Sequence, residues 1–309
     1  MRFTGKSVSH NLQISIIIVS YNTRELLTDC LKSIAVSTKE FETETFVVDN
    51  NSKDETVKTV KSKFPWVNLT ANPTNVGFSR ANNQALKRAK GKYILILNPD
   101  TKLLPDTLSK MYDLMENRPD ETAVATCKVE LPFGGLDKDC RRRFPTPWRA
   151  MTHFSGLSKL FPKSNIFAQY YMGDIPISEE HEVDACVGAF MFIRKNAIDK
   201  VGYFDEDFFF YGEDLDLCFR FKDAGYKILY TPITKIIHYK GAASGLKSHS
   251  RHLSKATVES KRNAIRESVR AMRLFYQKHY KHKYPGIITH PVLWAVKMIE
   301  IIRLAKLTL

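Results

Sequence analysis

Ile14-Ser15-Ile16-Ile17-Ile18-Val19-Ser20-Tyr21-Asn22 is the first strongly apolar run of the chain. Mostly β-branched residues follow one another in it without alternation, the pattern of a strand covered on both faces. Tyr21-Asn22 then leaves a polar loop at its carboxyl end. Arg24 to Val36 sets Leu26, Leu27, Leu31, Ile34 and Ala35 at helical spacing. Phe46 to Asn51 repeats the strand pattern, with Asp49-Asn50-Asn51-Ser52 at its end, and Asp54 to Phe64 repeats the helix. Strand, helix, strand, helix predicts an α/β fold with a mostly parallel sheet and crossover helices.

Downstream, Leu69 to Ala71 reads as a short strand, Asn75-Val76-Gly77-Phe78 as a loop, and Ser79 to Lys90 as a helix stopped by Gly91. Tyr93 to Leu97 is a further buried strand running into Asn98-Pro99-Asp100. Ligands of such sheets bind beyond the carboxyl ends of the strands, where Tyr21, Asn22, Asp49 and Asp100 fall. Leu104 to Asn117 reads as a helix and Ala123 to Glu130 as a strand. Leu131 to Glu182, with Arg141-Arg142-Arg143, has no period. A long irregular insertion of this kind is functional or mobile. Val183 to Arg194 is expected as one strand, followed by a helix from Asn196 to Val201.

The run Phe208-Phe209-Phe210-Tyr211-Gly212-Glu213-Asp214-Leu215-Asp216 puts three carboxylates at the edge of an apolar wall. A carboxylate there can be shielded from water and aimed at a substrate; acids are also favoured in the first turn of any helix. Leu215, Cys218, Phe219 and Phe221 continue at near-helical spacing, Gly225 fits a C-cap, and Tyr226 to Tyr230 reads as a strand stopped by Pro232.

Of the 47 Lys and Arg residues, 14 fall after Gly245, with three of the 33 acids. The net charge is therefore +11 in the last 64 residues and +3 in the first 245. Lys255 to Tyr280 has a helical pattern, and Val296 to Leu309 sets Lys297, Glu300, Arg303 and Lys306 opposite Met298, Ile299, Ile302 and Leu309, an amphipathic helix. Domain limits are expected at 12–245 and 246–309. The basic tail suits an anionic membrane surface; packing on the main domain or a homodimer contact are the competing accounts. Five scattered cysteines without a CxxC pair read as reduced thiols of a cytoplasmic protein. The first apolar run is too short for a signal peptide or a span.

Read jointly, Val19-Ser20-Tyr21-Asn22, Val47-Val48-Asp49-Asn50-Asn51-Ser52, Asn75-Val76-Gly77-Phe78 with Ala81-Asn82-Asn83, Leu97-Asn98-Pro99-Asp100, Val187-Gly188-Ala189-Phe190 and Tyr211-Gly212-Glu213-Asp214 resemble a family 2 glycosyltransferase. The likeness is to its bacterial rhamnosyltransferase-like branch and runs from about Leu12 to Gly245. It implies the A-type nucleotide-sugar fold (GT-A, Rossmann-like) with a C-terminal helical extension. The implied reaction is inverting transfer of rhamnose or a similar sugar from a dTDP- or UDP-linked donor to a glycan or lipid-linked acceptor, in cell-surface polysaccharide synthesis. By the same resemblance Asp214 is the base, and Glu213 and Asp216 bind acceptor. Ser20, Tyr21, Asn22, Asp49, Asn75, Gly77, Phe78, Asn98, Asp100 and Arg143 bind donor, and Asp100 and His238 hold Mg²⁺ or Mn²⁺. The position of the family's DxD signature holds Asn98-Pro99-Asp100, so one carboxylate is left for the cation, enough for Mg²⁺ that keeps its waters. Asp49 suits the N3–H of uracil or thymine, though Asp49-Asn50-Asn51-Ser52 could equally be an Asx-turn. His238 could equally be structural.

Two other classes compete. A sugar nucleotidyltransferase would carry a Gly-rich basic loop after the first strand, where this chain has Ser20-Tyr21-Asn22-Thr23. A nucleic-acid-binding protein would use the basic tail, but no zinc-finger spacing or aromatic RNA signature accompanies it, and no nucleic acid partner is expected.

Overall fold

The computed structural model describes residues 12–241 and 257–306. The expected domain boundary at 245/246 and Leu309 lie outside the described residues. Ile14–Ser20 (β1), Thr43–Asp49 (β2), Val67–Ala71 (β3) and Tyr93–Leu97 (β4) pair in parallel in the order β3-β2-β1-β4. Every residue of β1 and β4 is buried, as uninterrupted apolar runs between two helical layers require. The crossovers are Arg24–Ser37 (α1), Thr56–Lys63 (α2) and Phe78–Leu86 (α3). Gly77, at φ +87°, precedes α3 where an added Cβ would lie 2.7 Å from the Phe209 ring and 2.8 Å from its carbonyl oxygen. Only glycine admits that approach.

The sheet continues through Phe190–Arg194 (β8), Thr122–Glu130 (β6), Lys227–His238 (β9) and Thr101–Leu103 (β5), with His181–Val183 (β7) also on β9. β8 runs antiparallel between β4 and β6, so the sheet is mixed, as expected of this fold. Thr107–Glu116 (α4) and Lys195–Val201 (α7) flank it.

Three expectations about the sheet and the insertion differ from what is observed. The single strand from Val183 to Arg194 is two, because residues 184–189 cross from the β9 edge to the gap beside β4, taking Gly188 out of the ladder. The strand at Tyr226 does not end at Pro232. Its register on β6 steps from Cys127↔Thr231 to Lys128↔Lys235, so Pro232 lies in a bulge where its missing N–H costs no ladder bond. The aperiodic insertion holds two short helices, Pro147–Phe154 (α5) and Leu157–Leu160 (α6). Thr146 caps α5 and Pro147 sits in its first turn, a start signal that needs no long apolar period.

The acid-rich run opens Glu213–Asp223 (α8). Tyr226 N–H bonds to the Phe221 carbonyl and Gly225 N–H to that of Lys222, closing α8 with Gly225 at φ +83°. Val258–His279 (α9) lies on α8: Phe275, Tyr276 and Tyr280 form a small core with Phe208, Phe144, Leu215 and Phe219. Gly286–Ala305 (α10) begins ten residues before the expected Val296 and packs on α9. Its exposed face carries Ile287, Trp294, Ile301 and Ile302, so the side turned to water is more apolar than the charge spacing suggested.

Candidate active site

Asp49 ends β2 with its side chain buried. Its Oδ2 accepts the Ser52 N–H at 2.9 Å, the expected Asx-turn bond. Its Oδ1 is buried with no hydrogen-bond partner among the described residues. A buried carboxylate oxygen without a donor is costly unless a ligand supplies one, so the turn leaves one oxygen of the same side chain open to a ligand's N–H. Around it, Ser20 Oγ lies 3.0 Å from Thr23 Oγ1 and Tyr21 is exposed. Asn22, at φ +53°, receives Lys53 N–H on Oδ1 and donates its own N–H to Ser52. These bonds knit the β1 and β2 tips into one rim. Asn75 Oδ1 accepts the Gly77 N–H, and Asn50 Nδ2 donates to the Gly77 carbonyl. Phe78 N–H bonds to the Phe209 carbonyl at 2.7 Å and Ser79 Oγ to that of Phe208 at 2.6 Å. The Asn75–Phe78 loop is thereby docked on the aromatic run that leads into the acids.

Beyond β4, Asn98 N–H bonds to the Ala189 carbonyl, and Gly188 N–H in the same loop points at Asp214 Oδ2, 3.4 Å away. This loop joins the Asn98-Pro99-Asp100 corner to the head of α8. Asp100 is buried, with Oδ1 3.3 Å from His238 Nε2, because β5 pairs with the end of β9 and sets Thr101 opposite His238. His238 Nδ1 lies 2.9 Å from Asp137 Oδ2, which orients the ring. Burial disfavours the imidazolium, but Asp100 and Asp137 outweigh it and raise the His238 pKa to about 9. Among the described residues no group of three or more His, Cys, Asp and Glu side chains is arranged to hold a metal. Asp100 and His238 nonetheless fit a divalent cation that draws its other ligands from diphosphate oxygens and water. A cation at Nε2 would replace the proton there.

At the head of α8, Asp214 Oδ2 accepts from Arg142 at 2.8 Å, both side chains buried. Asp216 accepts from Arg220 Nε at 2.9 Å and lies 2.8 Å from His279 Nε2 of α9, which stacks on Phe219. Burial opposes the Asp216 charge, yet His279 and Arg220 hold its carboxyl below the usual range. Glu213 is buried with Oε2 unpartnered among the described residues; burial, then the neighbouring Asp214 charge, push its pKa up to about 8. Arg143, expected at the donor diphosphate, is instead bidentate on Asp174. The arginine paired with the head of α8 is Arg142. Sequence reading also missed Asp137 and Asp139; the alternation Asp137-Lys138-Asp139 was visible, but which cations it meets was not.

The family model described as Glycosyl transferase family 2 matches residues 15–202. The chain belongs to that family. This glycosyltransferase is 25% identical over 243 residues to the N-acetylglucosaminyl-diphospho-decaprenol L-rhamnosyltransferase of Mycobacterium tuberculosis, covering 75% of this chain and 78% of that one. It is 27% identical over 275 residues to rhamnosyltransferase WbbL of Escherichia coli, covering 82% and 98%. Its fold is shared with the mannosyltransferase PcManGT of Pyrobaculum calidifontis, solved with GDP-Man and Mn²⁺, at a TM-score of 0.55 and 15% identity over 97% of this chain and 74% of that one. The same holds for residues 1–349 of S. aureus TarS, at a TM-score of 0.53 and 15% identity over 96% and 90%.

Proposed function

We propose that this glycosyltransferase moves rhamnose or a similar hexose, with inversion, from a dTDP- or UDP-linked donor to a hydroxyl of a lipid-linked glycan. The observation that carries the reading is the contact chain Asn98, Ala189, Gly188, Asp214, which joins the Asn98-Pro99-Asp100 corner to the head of α8. The names of the two relatives support rhamnose, and that of the mycobacterial one supports a diphospholipid acceptor.

In this reading the pyrimidine N3–H meets the unpartnered Asp49 Oδ1. The acceptor O–H gives its proton to Asp214 as the acceptor oxygen bonds to the anomeric carbon and the bond to the diphosphate breaks. Little basicity is asked of a carboxylate when the proton moves late in an oxocarbenium-like transition state. Asp100 and His238 would hold Mg²⁺ or Mn²⁺, which when bound neutralises charge on the leaving nucleoside diphosphate. Asp216, engaged by Arg220 and His279, fixes the loop; Glu213 stays nearer the acceptor.

A thermal-shift screen against dTDP, UDP, GDP and CDP, with and without Mg²⁺ or Mn²⁺, tests the donor half. Stabilisation by dTDP or UDP is expected, strengthened by metal. A larger shift with GDP would exclude the Asp49 assignment. An NMR assignment of the product anomer opposite to that of the donor would establish inversion.

Among the described residues no helix is long and apolar enough to cross a membrane. The exposed apolar face of α10, flanked by Lys297 and Lys306, supports peripheral attachment to the inner, anionic leaflet where a lipid-linked acceptor resides. Trp294→Asp should abolish sedimentation with phosphatidylglycerol vesicles. A monomer–dimer shift in that variant without loss of vesicle binding would assign the face to a homodimer instead.

A further inference from the structure

Arg142 is the feature that neither family membership nor the donor site accounts for. It is a buried cation on the long insertion, anchored by backbone bonds in both directions with Ala185, so its Cα is fixed to the loop that also carries Gly188. Its guanidinium reaches Asp214 Oδ2 at 2.8 Å and the Cys186 carbonyl at 3.3 Å from one nitrogen, while the other lies 3.9 Å from Asp139 Oδ1. Asp139 is held in turn by Tyr171 O–H at 3.1 Å and by Lys240, which also grips Asp137. Charges of alternating sign thus run from Asp100 through His238, Asp137, Lys240, Asp139 and Arg142 to Asp214.

We propose that Arg142 is the positioning residue of Asp214: it fixes the orientation of the carboxylate at the rim, and Asp139 fixes Arg142. The proposal rests on the reading of Asp214 as the base. A cation at 2.8 Å favours the charged carboxylate, and a planar fork with a second anchor on the Cys186 carbonyl restricts rotation as an ammonium could not. Leu215 N–H at 2.7 Å on Oδ1 and Gly188 N–H at 3.4 Å on Oδ2 also meet the carboxylate, and Glu213, Tyr170 and Cys186 surround it, but Arg142 brings a full positive charge to it. Arg142 therefore joins an opposite charge to a fixed geometry at that carboxylate.

The test uses the full chain with dTDP-rhamnose, or the UDP-sugar if the nucleotide screen selects uridine. In Arg142→Met, kcat should fall by about 100-fold and donor KM stay within about threefold, and the acidic limb of the kcat/KM profile should move up by about one pH unit or more. Arg142→Lys should return the limb to within about half a unit while kcat stays about tenfold low, since charge is restored and the fork is not. Asp139→Asn should lower kcat by about three- to tenfold with donor KM unchanged, and carries the test if the Met variant does not fold. An unmoved limb in Met or Asn variants, or donor KM rising in step with the fall in kcat, overturns the proposal; the latter would make Arg142 a donor ligand. Asp214→Asn separates the two claims. Activity in that variant removes the base itself, whereas a dead Asp214→Asn beside an indifferent Arg142→Met removes only the positioning role.

Discussion

At the tip of β2 Asp49 keeps one oxygen buried and, among the described residues, unpartnered, while at the head of α8 Asp214 and Asp216 each already touch a cation supplied by the fold. In the proposed reading the first is the nucleotide wall, whose last hydrogen bond comes from a ligand. The second is internally neutralised, with Arg142 from the insertion and His279 from α9 closing on the head of α8. An empty partner position marks where binding free energy is gained; a completed ion pair marks where geometry is fixed before a substrate arrives.

The contrast breaks most visibly at Asp214. Asp214→Asn should lower kcat by about 1,000-fold with dTDP affinity within about threefold; calorimetry beside a transfer assay reads both, and comparable activity would leave the second wall without its base. Asp216→Asn should cost about 3 kcal/mol in urea denaturation, because His279 and Arg220 then face a neutral amide. If kcat per folded molecule also collapses while stability holds, Asp216 binds acceptor after all. On the nucleotide wall, Asp49→Ala should weaken dTDP binding by about 10- to 100-fold. The stability of the ligand-free protein should change little, since the Ser52 N–H is the one internal bond lost; equal losses in both would make Asp49 a structural acid.

Glu213 gives the smallest effect and the finest test. Its carboxyl ionises at about 8 in the folded protein against 4.5 as an ordinary glutamate. Across that window the folded state holds a proton the unfolded chain has lost, so stability falls as pH rises. Glu213→Gln should match the wild type near pH 4.5 and exceed it by about 1 to 2 kcal/mol at pH 8. A difference that does not grow with pH would mean that Glu213 is not held neutral.

The nucleotide wall was largely legible because its signals are local. β1 and β4 were placed to the residue, and Asp49 and Asp100 stand at strand ends that a run of apolar residues defines by itself. The second wall was legible in its acids but not in their partners. Arg141, Arg142 and Arg143 look alike as a string, yet Arg143 falls on Asp174, Arg142 on Asp214, and Arg141 on backbone carbonyls and the Tyr230 ring. These partners lie from 31 residues away (Arg143 to Asp174) to 89 (Arg141 to Tyr230), beyond what periodicity reports.

By itself the chain determined the alternation of strands and helices, the family, and which acids stand at strand ends, since each follows from side-chain period and from turn chemistry over a few residues. Tertiary structure alone decided which arginine meets Asp214, that His238 lies between Asp100 and Asp137, and that α9 closes on Asp216. Charge pairing depends on distance in space, and only the packed sheet and its insertion bring those positions within reach of one another.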